Sequence, residues 1–150
     1  MENNHQYFMQ EAVFEAQKGF GEQGIPIGSV LVFNQKIIGR GHNQRIQKNS
    51  PTLHGEMDAL ENAGRLTPDI YQQSTLYTTL SPCPMCTGAI LLYKIPHVVI
   101  GENQNFMGEE ELLQHRGVKV TVLNDAMCIQ MMKDFIHKHP KIWFEDISET

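Results

Sequence analysis

No apolar run in this chain of 150 residues approaches the ~18 that a membrane span requires, so no span is expected. The stretch from Met1 to Gln10 lacks the basic start and apolar centre of a secretory leader. Cysteine is scarce: Cys83, Cys86 and Cys128 make an odd set of three, which argues against a disulfide framework. A reducing cytoplasm is the expected setting, where a C-x-x-C pair more often binds metal or does redox work. Basic charge is short as well, with 12 Lys and Arg against 17 Asp and Glu and a net charge of −5. That balance opposes the basic footprint that phosphate backbones select, so the expected partner is a small molecule and not nucleic acid. Repeats, low-complexity tracts and linkers are missing too, and residues 1–150 read as one domain. With 41% hydrophobic residues, a chain of this length can bury a core without covalent staples.

What is present alternates in type. Tyr7 to Lys18 carries Phe8, Ala12 and Ala16 at i+4 spacing, an amphipathic helix that Gly19, Gly21 and Gly24 break. Ser29 to Phe33 and Ile37 to Gly39 read as a hairpin around Asn34-Gln35-Lys36. Arg40 to Thr52 has no apolar period and reads as a long connecting loop. Helices are expected at His54 to Ala63, closed by Gly64, at Cys83 to Tyr93, at Met107 to Arg116 and at Asp125 to His137, stopped by Pro140. Strands are expected at Thr75 to Thr79, His97 to Gly101 and Val118 to Val122, with a short terminal segment from Trp143 to Ile147. This order predicts an α/β fold with a mostly parallel sheet, covered on both faces and edged by an antiparallel hairpin. The stretch Ala89 to Tyr93 is apolar nearly all round, so burial on more than one face is expected, part of it against a second subunit.

The chemistry concentrates in two short motifs. In Pro82-Cys83-Pro84-Met85-Cys86, Pro84 suits the first helical position, where its missing N–H costs nothing. Cys83 then becomes the N-cap and Cys86 the N3 residue, positions whose side chains meet over a helix end. The positive end of the helix favours thiolate, the form that binds metal. A redox pair is the rival reading, but it has no use for the His54-Gly55-Glu56 found upstream. A structural zinc site wants four ligands, and the remaining cysteine, Cys128, sits in an apolar helical pattern as a small buried residue. Two sulfurs and His54 leave one coordination position open to water, the pattern of catalytic zinc.

Alone, His54 and Glu56 would pass for an ordinary histidine and a dipole-stabilised glutamate at a helix start. Beside the two cysteines they read differently. Residues i and i+2 do not share a helix face, so Glu56 cannot bind the metal alongside His54. At a first turn it reaches the ligand opposite, and it is assigned the role of moving protons to and from that water.

The spacing H-x-E…P-C-x-x-C is the signature of zinc nucleobase deaminases. From about Gly24 to Glu149 the chain also resembles the fungal cytosine deaminases. The likeness is carried by Gly39-Arg40-Gly41-His42-Asn43, Thr52-Leu53-His54-Gly55-Glu56, Thr75 to Cys83, Met85 to Ile90, Asn105-Phe106 and Trp143-Phe144-Glu145-Asp146-Ile147. The resemblance implies a cytidine-deaminase-like three-layer α/β/α sandwich on a five-stranded mixed sheet, a homodimer, and hydrolysis of free cytosine to uracil and ammonia in pyrimidine salvage. It implies one zinc per chain on His54, Cys83 and Cys86, with Glu56 as the proton shuttle. Asn43, the Gly55 amide and Asp146 would hydrogen-bond the base. Phe106 and Trp143 would pack on it, with Ile27, Leu80 and Ser81 on the wall. The sequence departs from the fungal pattern at Pro84, at Ser29-Val30 and in the loop after Phe106. Other small bases (guanine, isocytosine, a pterin), a tRNA or DNA substrate, and a silent binding protein are the alternatives. Retention of Glu56 opposes the last.

Overall fold

The computed structural model describes residues 4–150. The helix α1, His5–Gly21, leads into the hairpin of β1, Gly28–Phe33, and β2, Lys36–His42. Then come α2, Arg45–Lys48, α3, Gly55–Ala63, α4, Pro68–Tyr71, and β3, Ser74–Leu80. The chain continues through α5, Pro84–Tyr93, β4, His97–Glu102, α6, Glu110–His115, and β5, Lys119–Val122, to α7, Ala126–Lys138, and α8, Pro140–Asp146. The sheet order is β2-β1-β3-β4-β5. The β1 strand runs antiparallel to both β2 and β3, while β3, β4 and β5 are parallel. The expected mixed five-stranded sheet is therefore present, its parallel half joined by α5 and α6.

Strand alternation separates the two faces. Val30, Val32, Tyr77 and Val99 point to one side, where Phe8, Met9, Ala12 and Val13 of α1 and Cys128 of α7 cover them. Leu31, Leu76, Val98 and Ile100 point to the other and pack with Ile90 of α5, Leu113 of α6 and Leu60 of α3. These layers form the three-layer sandwich. A third cluster, with Ile25, Ile27, Leu80, Met132, Phe135 and Trp143, closes one end of the sheet. That end holds the functional motifs.

Two glycines on β2 let α3 settle close to the sheet. A Cβ at Gly39 would stand 2.5 Å from the Ala59 carbonyl oxygen, and one at Gly41 would stand 2.6 Å from the Ala59 nitrogen. Side chains there would push the helix, and His54 with it, away from β2.

Several elements differ from the sequence expectation. The segment 40–52 is not all loop: β2 continues to His42, and α2 forms a single turn after it. Glycines at alternate positions hide the strand from an apolar-period reading. The turn α4 was not expected; Pro68 starts it at a first helical position. Pro140 follows the end of α7 as expected but also opens α8, so the Trp143 segment is helical up to Asp146. Proline at a first helical position gives up no bond that the helix needs.

Candidate active site

The site lies at the carboxyl ends of β2, β3 and β4, where open α/β sheets carry their ligands. Two helix starts meet there. Cys83 is the N-cap of α5 with Pro84 next, and its Sγ accepts from the Cys86 amide at 3.5 Å. His54 is the N-cap of α3, in an extended backbone conformation. Its Nδ1 stands 3.4 Å from Cys83 Sγ and 3.7 Å from Cys86 Sγ. Tetrahedral zinc with ordinary Zn–N and Zn–S bonds separates such atoms by about 3.6 Å. All three ligand atoms lie within 4.8 Å of one another, so the residues fit one small tetrahedral metal ion.

Protons are unevenly shared across the cluster. The Cys83 thiol is held down to about 4, first by the hydrogen bond from Cys86 and then, against burial, by His54. Cys86 is pushed well above its usual range, first by the same bond and then by burial. Burial alone would lower His54, but the contacts with Asp146 and Cys83 outweigh it and raise it to about 10. Glu56 is buried at the second position of α3, and burial first, then the charge on Cys83, pushes its carboxyl up to about 7.

Asp146 reaches this group from the end of α8. Its Oδ2 lies 3.3 Å from His54 Nε2, and its Oδ1 accepts from Asn43 Nδ2 at 2.9 Å. Asn43 Oδ1 in turn accepts from the Arg45 amide at 3.0 Å. Beside them is a half-open space of about 10 Å³, room for roughly one water. Ile27, His54, Glu56, Leu80, Ser81, Cys83, Phe106, Trp143, Asp146 and Ile147 line it. The Phe106 and Trp143 rings meet edge to face at 5.8 Å.

Sequence reasoning named all but one of these lining residues; Ile147 was left out of the wall. Asn43 is fully buried and joins the group through Asp146, while Gly55 is buried at the first position of α3. The Ser81 hydroxyl is already engaged, donating to Glu110 Oε2 at 2.6 Å and accepting from the Gly108 amide at 2.9 Å. Its one hydroxyl hydrogen is therefore not free to donate to a substrate. Glu102 also anchors the Phe106 loop, accepting from the amides of Gln104 at 2.7 Å and Asn105 at 3.0 Å. Asp58 does the same for the Asn43 loop, taking the His42 amide and Gln44 Nε2, both at 3.0 Å. These three carboxylates were not singled out from sequence. Their signal is acidic residues in otherwise apolar or turn segments, which is too common to act on.

Residues 2–102 match the model of the cytidine and deoxycytidylate deaminase zinc-binding region. The chain is 56% identical over 142 residues to a cytosine deaminase of Candida albicans, covering 94% of this chain and 95% of the relative. It is 41% identical to a tRNA-specific adenosine deaminase of Streptococcus pyogenes, covering 88% of this chain and 89% of that one. A solved structure from work on A-to-I editing by tRNA:A34 deaminases superposes with a TM-score of 0.70 at 26% identity, over 84% of this chain and 99% of the other. The paired helix starts, with their histidine and two cysteines, are thus a zinc site, and the chain belongs to the cytidine and deoxycytidylate deaminase family.

Proposed function

We propose that the protein hydrolyses free cytosine to uracil and ammonia. The observation that carries this is the lining, with the Phe106 and Trp143 rings beside the Asn43–Asp146 pair, which suits one flat, polar-edged base. Identity to the Candida cytosine deaminase along nearly the whole chain points the same way.

Zinc on His54, Cys83 and Cys86 supplies, when bound, an acidified water as nucleophile. The residues of the chain do the rest. Glu56 accepts one proton of the attacking water and delivers it to the ring nitrogen next to the amino-bearing carbon. It then takes the second proton of that oxygen and passes it to the amine as the carbon–nitrogen bond breaks. Asn43 still has one amide hydrogen and an acceptor lone pair for the base. Asp146 accepts from a ring N–H, and the Gly55 amide, at the positive end of α3, donates to the ring carbonyl. Phe106 and Trp143 hold the ring faces and exclude water.

Asp146 occupies the edge at which a nucleoside carries its sugar. A ribose there would remove the ring donor to Asp146 and collide with the wall beside it. The same reading includes a homodimer through α5, where Leu92 is 70% exposed although the helix is apolar on every side. It also includes a place in cytoplasmic pyrimidine salvage. Among the described residues no helix is long and apolar enough to cross a membrane.

Kinetics on cytosine, on cytidine and on a tRNA anticodon stem-loop test the assignment. Turnover of cytosine alone is expected. Comparable kcat/KM for cytidine would mean that Asp146 does not read the ring N–H. Conversion of adenine in the stem-loop would move the protein to the activity named for its streptococcal relative.

A further inference from the structure

The space beside the zinc ligands has room for about one water, so a base fits only if part of the wall moves. Two parts of that wall come from α8, Trp143 and Asp146. What holds α8 down is therefore part of how the site works.

Arg45, the first residue of α2, reaches across this seam. Its Nε donates to the Pro51 carbonyl at 3.1 Å, three positions before the zinc ligand His54. Its Nη1 donates to Glu145 Oε1 at 3.2 Å and stands 3.9 Å from Asp146 Oδ1. The guanidinium is mostly covered, with 15% of the side chain exposed. The loop on its near side is pinned independently, by Gln44 Nε2 on Asp58 and by the Gln44 amide on the Leu53 carbonyl at 2.9 Å. If the guanidinium lets go, the loop stays and α8 is the part free to lift.

We propose that Arg45 is a positioning residue of this active site, a clasp that holds α8 over the base and keeps Asp146 in register with Asn43. The proposal rests on the reading that the site takes a free base. Its importance is geometric more than energetic. Glu145 is 68% exposed on its side chain, and an ion pair so open adds little to stability. A planar fork that bonds two segments at once nevertheless fixes their relative position, which an ammonium cannot reproduce.

The test uses the zinc-loaded protein and its single tryptophan, Trp143, which is 3% exposed. Arg45→Ala keeps the Arg45 amide that holds Asn43, so it cuts the clasp alone. Acrylamide quenching of Trp143 is expected to rise, and KM for cytosine to rise about tenfold or more, with kcat, zinc content and melting temperature held near wild type. Arg45→Lys, which keeps a charge for Glu145 but loses the fork, falls between the two. A merely structural arginine would lower the melting temperature and the active fraction but leave KM and quenching unchanged, and that result overturns the proposal. Should Arg45→Ala not fold, Glu145→Gln on the exposed side of the clasp carries the same readouts. Quenching needs no substrate, so a rise in it upholds the clasp even if cytosine proves not to be the base.

Discussion

Asp146 Oδ2 lies 3.3 Å from His54 Nε2, on the far side of the imidazole from the two sulfurs. With a metal on Nδ1, this contact would keep the ring's remaining proton on Nε2, facing the carboxylate. A carboxylate behind a metal-bound histidine orients the ring and raises its basicity. Sequence reasoning gave Asp146 to the base only. In the fold it also faces the zinc ligand, so on the proposed reading one side chain would serve both base and metal.

Asp146→Asn should accordingly weaken both. Loss of such a partner typically costs about 10–100-fold in metal affinity or activity. Competition of the zinc-loaded variant with a chelator, read beside turnover of cytosine, checks this. Zinc retention equal to wild type would show that the carboxylate serves the base alone.

Glu56→Gln should leave the fold and one zinc per chain in place, because Glu56 is not among the three clustered ligands. Activity should fall by at least about 10²–10⁴-fold, the usual worth of a positioned proton carrier. Elemental analysis and ammonia release measure the two halves. Near-normal turnover would assign the proton to another group.

The imidazole of His42 bridges two acidic residues, with Nδ1 3.0 Å from Glu15 and Nε2 2.8 Å from Glu22. These bonds, Glu15 foremost, raise its pKa above 6.5 against the opposing effect of burial. Their partner effect lowers both glutamates below 4.5. Protonated His42 therefore adds stability that is complete below pH 6.5 and is lost as pH rises through its raised value. The glutamates add stability that is complete above pH 4.5 and is lost as pH falls through their lowered values. The cluster contributes most between these limits. Melting curves of wild type and His42→Asn should differ most there and converge as the pH is raised. A constant difference would assign the effect of the substitution to packing.

Gly41→Ala should destabilise the protein by about 1–3 kcal/mol, the usual cost of overpacking. The new Cβ would meet Asp58 Oδ2 at 2.5 Å and the Ala59 nitrogen at 2.6 Å, so α3 must shift. Because His54 caps that helix, zinc retention should fall together with the melting temperature. A fall in stability with unchanged zinc affinity would mean that α3 pivots about its first turn.

The metal set was legible because each half is local. Pro84 between the cysteines dictates a helix start, and a helix start brings its N-cap and N3 side chains together whatever surrounds them. The alternation of Val30, Leu31 and Val32 likewise announces a strand buried on both faces. The double role of Pro140 was not legible, since the residue that ends one helix is also suited to begin the next.

The amino-acid order by itself thus determined the metal ligands, the carboxylate beside them and the layers, because short-range backbone geometry and side-chain periodicity encode them. Only the tertiary structure decided that Asn43 meets Asp146, 103 positions away, and that Arg45 reaches Glu145, 100 positions away. Those meetings depend on the sheet order β2-β1-β3-β4-β5 and on the path that returns α8 to the hairpin side. A hydrogen bond between distant residues exists only once the packed core has placed both chain segments, and no local propensity of either segment carries that information.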